Sequence, residues 1–324
     1  MRRVEPAFPD LLPVTHRVGG PPSRAGAVVL DPVEMRLRWS ASPAPPVRPG
    51  GSLPARPVRA LVHAAALAGE QQWLARFLEA GNGLLVVWDG DEAPDALPEP
   101  RLAGQVVIVA PLLPPAWGSS PVTALEPFLE RGMEAGVLLA LAPVPRALEE
   151  VGRSVAEGIE AGARFVAAIP VALPPADCHR LYESLAGEDG DGELENLLFH
   201  CDHGSLTEVM EREASRLCAR AGVEEFIPAP ATATCPQRAG RVLSQLLLWA
   251  RRLDLLDGSS SAGWQLRRAA RALQAAGKDP LILAAEDNLR IVPGFDPWVE
   301  AFARSLWQGG GEPFDGIRER WLAA

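Results

Sequence analysis

The chain has few of the features that mark a membrane protein or a redox-active metalloprotein. Its longest apolar runs, such as Val106–Leu113, fall well short of the roughly 20 residues that a transmembrane helix needs. The N-terminal residues Met1–Pro6 carry two arginines with no apolar signal core behind them. The cysteines lie too far apart for a CxxC pair, at Cys178, Cys201, Cys218 and Cys235. The sequence therefore predicts a cytoplasmic protein with structural thiols, no membrane association, no metal and no cofactor.

Positive charge is also scarce, and Lys278 is the single lysine. The formal net charge is −10, which argues against a general affinity for nucleic acid because non-specific duplex binding depends on neutralised phosphates. The segment from Arg238 to Lys278 is the exception, since its eight basic residues face two acidic ones and leave a local excess of six positive charges. A basic surface is therefore predicted in the C-terminal third.

The length of 324 residues, 48% of them hydrophobic, favours two globular parts with sizeable cores. Residues 1–57 predict an irregular Pro- and Arg-rich leader with one possible hairpin, Ala27–Leu30 with Val33–Trp39. Residues 58–228 alternate apolar runs with amphipathic helices, which predicts βα units around a parallel sheet. A Pro- and Ala-rich linker over 229–237 leads to a helical domain over 238–324.

The alternating region predicts strands at seven apolar runs: Ala60–Ala65, Leu84–Trp88, Val106–Ala110, Val137–Leu141, Phe165–Val171, Leu197–His200 and Glu225–Ile227. The repeating units are similar in length, and no G-x-G-x-x-G follows the first strand. Both features favour a partial or full βα barrel over a doubly wound nucleotide-binding fold. In such a barrel, functional side chains lie at the carboxyl ends of the strands.

Two clusters of polar residues follow predicted strands. The first, His200-Cys201-Asp202-His203, could hold a metal or carry out acid–base chemistry. Alternate residues of a strand face opposite sides, however, and the adjoining Gly204–Thr207 stretch is typical of a helix cap. The second cluster, Asp89, Asp91 and Glu92, has the competing interpretation of a solvated acidic turn.

The repeated βα order and the Gly-Asp-Glu-Ala-Pro turn at Gly90–Pro94 resemble the partial barrel of radical S-adenosylmethionine enzymes, over about Arg59–Pro228. In that family, a Gly-Gly-Glu-Pro turn after the second strand contacts the cofactor's amino group. Three cysteines at CxxxCxxC spacing after the first strand hold a [4Fe–4S] cluster. The corresponding stretch here, His63–Trp73, contains no cysteine. The resemblance thus implies a degenerate member that has lost its cluster.

The stretch Leu289–Gly309 has a different character. Pro293-Gly294 predicts a tight reversal, followed by a helix with one apolar face closed by Gly309; that face comprises Val299, Phe302, Ala303 and Leu306. This arrangement resembles a helix-hairpin-helix, a motif that points main-chain N–H groups at a DNA phosphate as any helix N-terminus can.

The preceding Gly263–Ala270 stretch, Gly-Trp-Gln-Leu-Arg-Arg-Ala-Ala, extends the resemblance to the N-terminal domain of X-family DNA polymerases, over about Arg241–Gly309. The resemblance implies DNA contacts from five residues: Gly294, Phe295, Arg267, Arg268 and Arg271. Asp296 occupies the place of the second hairpin glycine and puts a carboxylate beside the expected phosphate. Phe302 replaces the family's Schiff-base lysine, so lyase activity is predicted to be absent.

These observations predict a non-catalytic DNA-associated accessory or repair factor that binds DNA weakly through its C-terminal domain. One alternative is a βα-barrel enzyme with a metal or acid–base site at His200 and Asp202. Another is a protein–protein adaptor, because Trp298, Trp307 and Trp321 belong to a residue type that often anchors interfaces. The competing role of these tryptophans is to pack the core of the helical domain.

Overall fold

A computed structural model describes most of the chain. The described residues are 2–3, 12–14, 16–17, 27–31, 36–40, 45–49, 53–88, 100–113, 125–171, 177–179, 182–183, 192–258, 260–275, 282 and 289–324. The predicted acidic cluster Asp89, Asp91 and Glu92 lies outside these residues, as do Gly90–Pro94 and Lys278.

Nine strands form in this part of the chain. They are β1 (Arg2–Arg3), β2 (His16–Arg17), β3 (Ala27–Asp31), β4 (Arg36–Ser40), β5 (Arg59–His63), β6 (Gly83–Val87), β7 (Val106–Leu112), β8 (Glu134–Leu141) and β9 (Val166–Pro170). Short 3₁₀ helices cover Ala64–Leu67, Pro100–Gln105 and Leu289–Ile291.

The α-helices follow the same chain order. They are α1 (Gln71–Glu79), α2 (Glu126–Glu130), α3 (Ala147–Glu160), α4 (Gly192–Phe199), α5 (His203–Ala221), α6 (Gln237–Asp257), α7 (Ser261–Ala275), α8 (Pro297–Gln308) and α9 (Phe314–Ala323). No helix among the described residues is long and apolar enough to cross a lipid bilayer.

Six of the strands form a parallel sheet in the order β2-β5-β6-β7-β8-β9, and β1 adds an antiparallel edge beside β2. From β5 to β9, each strand pairs with the next one along the chain. Right-handed crossovers between such neighbours bring successive helices to the same face of a sheet. This sheet is therefore compatible with a barrel-like fold, and the predicted parallel α/β class is confirmed.

The central strands of the sheet are almost entirely buried, as parallel strands covered on both faces must be. Every residue of β5, β6 and β8 is buried. Gly136 of β8 permits one close contact, because a Cβ at this position would lie 2.3 Å from the carbonyl oxygen of Phe165. The continuous Val, Leu and Ala runs that predicted these strands result from this two-sided burial.

The sixth predicted strand, Leu197–His200, is wrong. The segment belongs to helix α4, where Leu194 and Leu198 point into a small core at i, i+4 spacing. The seventh, Glu225–Ile227, does not form a strand either. An isolated parallel bridge joins Phe165 to Glu224, and the Val166 N–H donates to the Glu224 carbonyl at 2.8 Å. The pairing of this segment beside β9 is thus limited to one bridge.

The leader region contributes to the fold. β3 and β4 pair as an antiparallel hairpin with Val29 opposite Arg38, which confirms the predicted hairpin. Farther upstream, Leu12 and Val14 are buried in the same core as the sheet, and His16 of β2 pairs with Ala60 of β5.

Two large hydrophobic clusters divide the buried residues. The first surrounds the sheet and ends at Ile227. The second begins at Ala229 and gathers the buried faces of α6, α7, α8 and α9, with Trp249 and Phe302 among its large side chains. We call the residues from α6 to α9 the helical part.

Residues 228–236 connect the two clusters and run along the sheet's N-terminal edge. The Arg59 Nε donates to the Pro230 carbonyl at 2.8 Å, and the Ala233 N–H donates to the Gly81 carbonyl at 2.8 Å. We call residues 228–236 the strap. A Cβ at Gly83 would lie 2.7 Å from the Ala231 carbonyl oxygen, so a glycine is required where the strap passes the start of β6.

Candidate functional site

The tetrad His200–His203 lies at the junction between α4 and α5 and not at the end of a strand. Asp202 is the N-cap of α5, and its Oδ1 accepts hydrogen bonds from the backbone N–H of Gly204 at 3.0 Å and of Ser205 at 3.4 Å. The bond from the Ser205 hydroxyl and these two amide bonds lower the pKa of Asp202. Its carboxylate therefore caps the first turn of the helix.

The two histidines of the tetrad lie on either side of Asp202 in the turn between the helices. His203 Nε2 lies 2.7 Å from the Leu197 carbonyl oxygen in the preceding helix, and His200 is exposed just after α4. The predicted placement of the tetrad at the end of a strand is therefore wrong, because these residues join two helices. Among the described residues, no group of three or more His, Cys, Asp or Glu side chains is arranged to hold a metal ion.

The segment after β5 is packed with apolar side chains. The 3₁₀ helix Ala64–Leu67 follows His63, and Ala66, Leu67 and Trp73 are buried in the core around the sheet. Three thiolates would occupy this segment in a radical S-adenosylmethionine enzyme. The four cysteines lie elsewhere and none of them forms a disulfide, and burial raises the pKa of the Cys218 thiol to about 12.

The apolar face predicted for the helix after Pro293-Gly294 is confirmed. Helix α8 buries Val299, Phe302, Ala303 and Leu306. Asp296 is its N-cap, with Oδ1 accepting from the Val299 N–H at 2.9 Å. The N–H donor that a helix N-terminus would offer to an anion is thus bound to the protein's own carboxylate.

The turn before α8 packs on α7. Gly294 has a φ of 94°, and a Cβ there would lie 2.9 Å from Arg268 Cγ and 3.0 Å from the Ala269 nitrogen. Glycine is needed for both the backbone conformation and the close approach. Phe295 is buried, and its N–H donates to the Val292 carbonyl at 3.2 Å. Of the two turn residues predicted to contact DNA, Phe295 therefore serves the fold.

Many of the arginines in the basic segment pair with acids. Arg241 Nη2 lies 2.8 Å from Glu134 Oε1, and Arg241 also binds Glu224. Arg251 Nη2 lies 3.0 Å from Glu211 Oε2. These acids belong to β8, to the bridge beside β9 and to α5, so the pairs fix α6 against the sheet.

Within the helical part, Arg267 Nη1 lies 2.6 Å from Asp254 Oδ2. Asp254 also accepts from the Ser260 N–H at 3.0 Å, at the start of α7. Gly263 lets α6 and α7 approach at this point, since a Cβ there would lie 2.4 Å from Asp254 Oδ1. Arg267, predicted to contact DNA, thus joins two helices.

Arg252 forms a buried node that sequence reasoning missed. Its guanidinium makes two bonds to Glu225, at 2.7 and 3.0 Å, and one to Ser215 Oγ at 2.6 Å. The guanidinium also lies over the rings of Trp249 and Trp321, with 4.7 and 5.0 Å to the ring centroids. Trp321 Nε1 donates to the same Ser215 oxygen at 3.1 Å. The node connects four segments far apart in the sequence.

Arg268 and Arg271 remain on the exposed side of α7. Among the residues that the structure describes, no ion pair involves either of them. Arg268 lies over the ring of Trp264, 5.4 Å from its centroid, and Trp264 is 58% exposed. The spacing of Trp264, Arg268 and Arg271 at i, i+4 and i+7 places them on one helix face, a signal that the sequence itself contains.

The three tryptophans that suggested an adaptor belong to the helical core. Trp321 is fully buried. Trp298 and Trp307 are half-buried and pack against the same cluster. Their environment agrees with a packing role and leaves Trp264 as the tryptophan that presents a large exposed surface on α7.

Comparisons with protein-family models, with curated proteins and with solved structures yield no match to this chain.

Proposed function

We propose that the protein is a non-catalytic DNA-associated factor, a radical-SAM-like barrel without its cluster joined to a helix-hairpin-helix domain. The observation that carries this proposal is the exposed face of α7. Within the described parts of the chain, no ion pair involves Arg268 or Arg271 on this face, whereas Arg241, Arg251, Arg252 and Arg267 are neutralised by carboxylates. Unpaired guanidinium groups on one helix face are suited to phosphate contacts.

The environment of the tetrad supports a non-catalytic role. Asp202 caps α5, and His203 bonds to the backbone of α4. A general base must reach the proton that it removes, and these two groups are engaged in capping α5 and in joining it to α4. The alternative of an enzyme using His200 and Asp202 therefore has no geometric support among the described residues.

The basic segment offers fewer contacts than its charge count implies. Arg268 and Arg271 can neutralise about two phosphates, which corresponds to a log–log salt slope of roughly −1.4 on single strands and −1.8 on duplex DNA. The carboxylate of Asp296 at the start of α8 opposes a further contact by the turn. The proposal is thus one of weak, salt-sensitive binding.

The test is a salt titration of the full chain on labelled single-stranded and duplex DNA. The variant Arg268→Glu with Arg271→Glu should reduce affinity at least about tenfold at low salt and bring the slope close to zero. A matched control, Arg131→Glu with Arg153→Glu, makes the same change in net charge on exposed residues of the α/β part. It should leave affinity within about twofold, since charge at a distance is screened.

Two results would refute this function. One is an absence of binding to any strand at low salt, which would favour a protein partner for the α7 face. The other is an equal loss of affinity in the variant and in its control, because binding would then depend on overall charge and not on α7.

A further inference from the structure

The exposed tryptophan of α7 shares one helix face with two arginines. Trp264 and Arg268 lie one helical turn apart on α7, with the guanidinium over the indole ring. Arg271 lies three residues farther along the same exposed face. Gly294, in the turn before α8, packs against α7 at Arg268. We call Trp264, Arg268 and Arg271 the platform.

The chemistry of the platform is mixed in a specific way. Trp264 exposes apolar surface, while Arg268 and Arg271 carry positive charge without ion pairs among the described residues. The indole offers a flat aromatic surface and the guanidinium beside it offers a positive charge. A nucleic-acid strand presents the complementary groups, a flat base that can stack on the ring and a phosphate that can bind the guanidinium.

The neighbouring helix N-terminus makes duplex DNA a poorer ligand than a single strand. The Val299 N–H at the start of α8 is bound to Asp296 Oδ1 at 2.9 Å, and this carboxylate would repel a phosphate at the turn. Contacts to the duplex backbone are therefore reduced to the two arginines. A base can stack on the tryptophan only when it is unpaired, so additional affinity is available to single strands alone.

We infer that the platform binds single-stranded nucleic acid by stacking an unpaired base on Trp264, with Arg268 and Arg271 holding the adjoining phosphates. This inference rests on the proposed function and adds the substrate class, a strand with accessible bases.

The experiment compares two labelled oligonucleotides of equal length, a thymidine strand and a strand of abasic residues that keeps the phosphates and lacks the bases. The full chain should bind the thymidine strand more tightly. Trp264→Ala should weaken thymidine-strand binding by about 5- to 150-fold, the range for loss of one base–aromatic stack, and should leave abasic-strand binding unchanged. Trp264→Phe should retain most of the affinity.

The matched control is Leu148→Ala, which removes an exposed apolar side chain from α3, where Leu148 is 46% exposed. It should leave the affinity for both strands unchanged. Equal binding of the two strands by the full chain would overturn the stacking inference while leaving charge-based binding intact. An unchanged thymidine affinity in Trp264→Ala would overturn it as well. Failure of every strand to bind would instead remove the proposed function.

Discussion

Replacing Arg252 should cost more stability than replacing any exposed arginine, because its guanidinium is 2% exposed and holds Glu225, Ser215 and two tryptophan rings together. Arg252→Met keeps much of the apolar stem and removes the charge. The Glu225 carboxylate, 21% exposed, then loses its main counter-charge. Removing one partner of a buried ion pair typically costs about 3–5 kcal/mol of stability. Because Glu225 keeps some exposure to water, we expect Arg252→Met to lower the free energy of unfolding by about 3 kcal/mol.

The assay is urea unfolding of the full chain followed by far-ultraviolet circular dichroism. Arg320→Met is the matched control, since Arg320 and its partner Asp257 are 55% and 39% exposed, and a surface pair contributes at most about 1 kcal/mol. The double variant Arg252→Met with Glu225→Gln should cost less than the sum of its two single changes by about 1–3 kcal/mol.

The node would have no special role if Arg252→Met were no more destabilising than Arg320→Met. Strict additivity in the double variant would be equally damaging, because it would mean that Arg252 and Glu225 do not interact in the folded protein.

Two further predictions concern helix packing and pH. Gly263→Ala should destabilise the protein by about 1–3 kcal/mol in the same urea assay, because the new Cβ would lie 2.4 Å from Asp254 Oδ1. The control is Gly152→Ala in α3, where a Cβ meets nothing within 4 Å, and this change should raise the free energy of unfolding by about 0.5–1 kcal/mol. Equal effects of the two changes would contradict the close contact between α6 and α7. Burial opposes ionisation of Glu225, but the bonds from Arg252 and Ser215 outweigh burial and lower the pKa of Glu225. The ionised Glu225 therefore stabilises the fold above the ordinary carboxylate pKa, and this stabilisation is lost as the pH falls through the pKa of the folded state. Unfolding midpoints measured from pH 7 down to about 3 should fall less steeply for Glu225→Gln than for the native chain, and parallel curves would contradict this.

The parallel sheet could be predicted from sequence because two-sided burial leaves a direct trace. Strands such as β8 consist mainly of apolar residues. The turns that lead from a helix into a strand contain glycines with positive φ, such as Gly81 before β6 and Gly162 before β9. The same rule misassigned Leu197–His200, where three adjacent apolar residues end a helix. The signal that distinguishes the two cases is Asp202, since an N-cap so close to the run leaves no room for a strand and its loop.

The electrostatics could not be read along the chain. Arg251 meets Glu211 across 40 residues, and Arg252 meets Glu225 across 27. The count that predicted a basic C-terminal segment compared neighbours in sequence, whereas these charges are compensated in space by acids from α5 and the sheet edge. The exposure of Trp264 could not be predicted for a related reason, because it depends on which helix face the rest of the fold leaves uncovered.

The strap has a consequence for how the chain acquires its structure during synthesis. The Arg59 side chain and the Pro230 carbonyl that it contacts are 171 residues apart. Closing a loop of this length carries an entropic cost of about 4–5 kcal/mol by the logarithmic dependence on length. On the ribosome, β5 and β6 therefore emerge long before the segment that covers their N-terminal edge. A nascent chain halted before residue 228 should expose this edge to solvent and to chaperones. The edge should become protected late, once the strap has left the ribosome and docks on it.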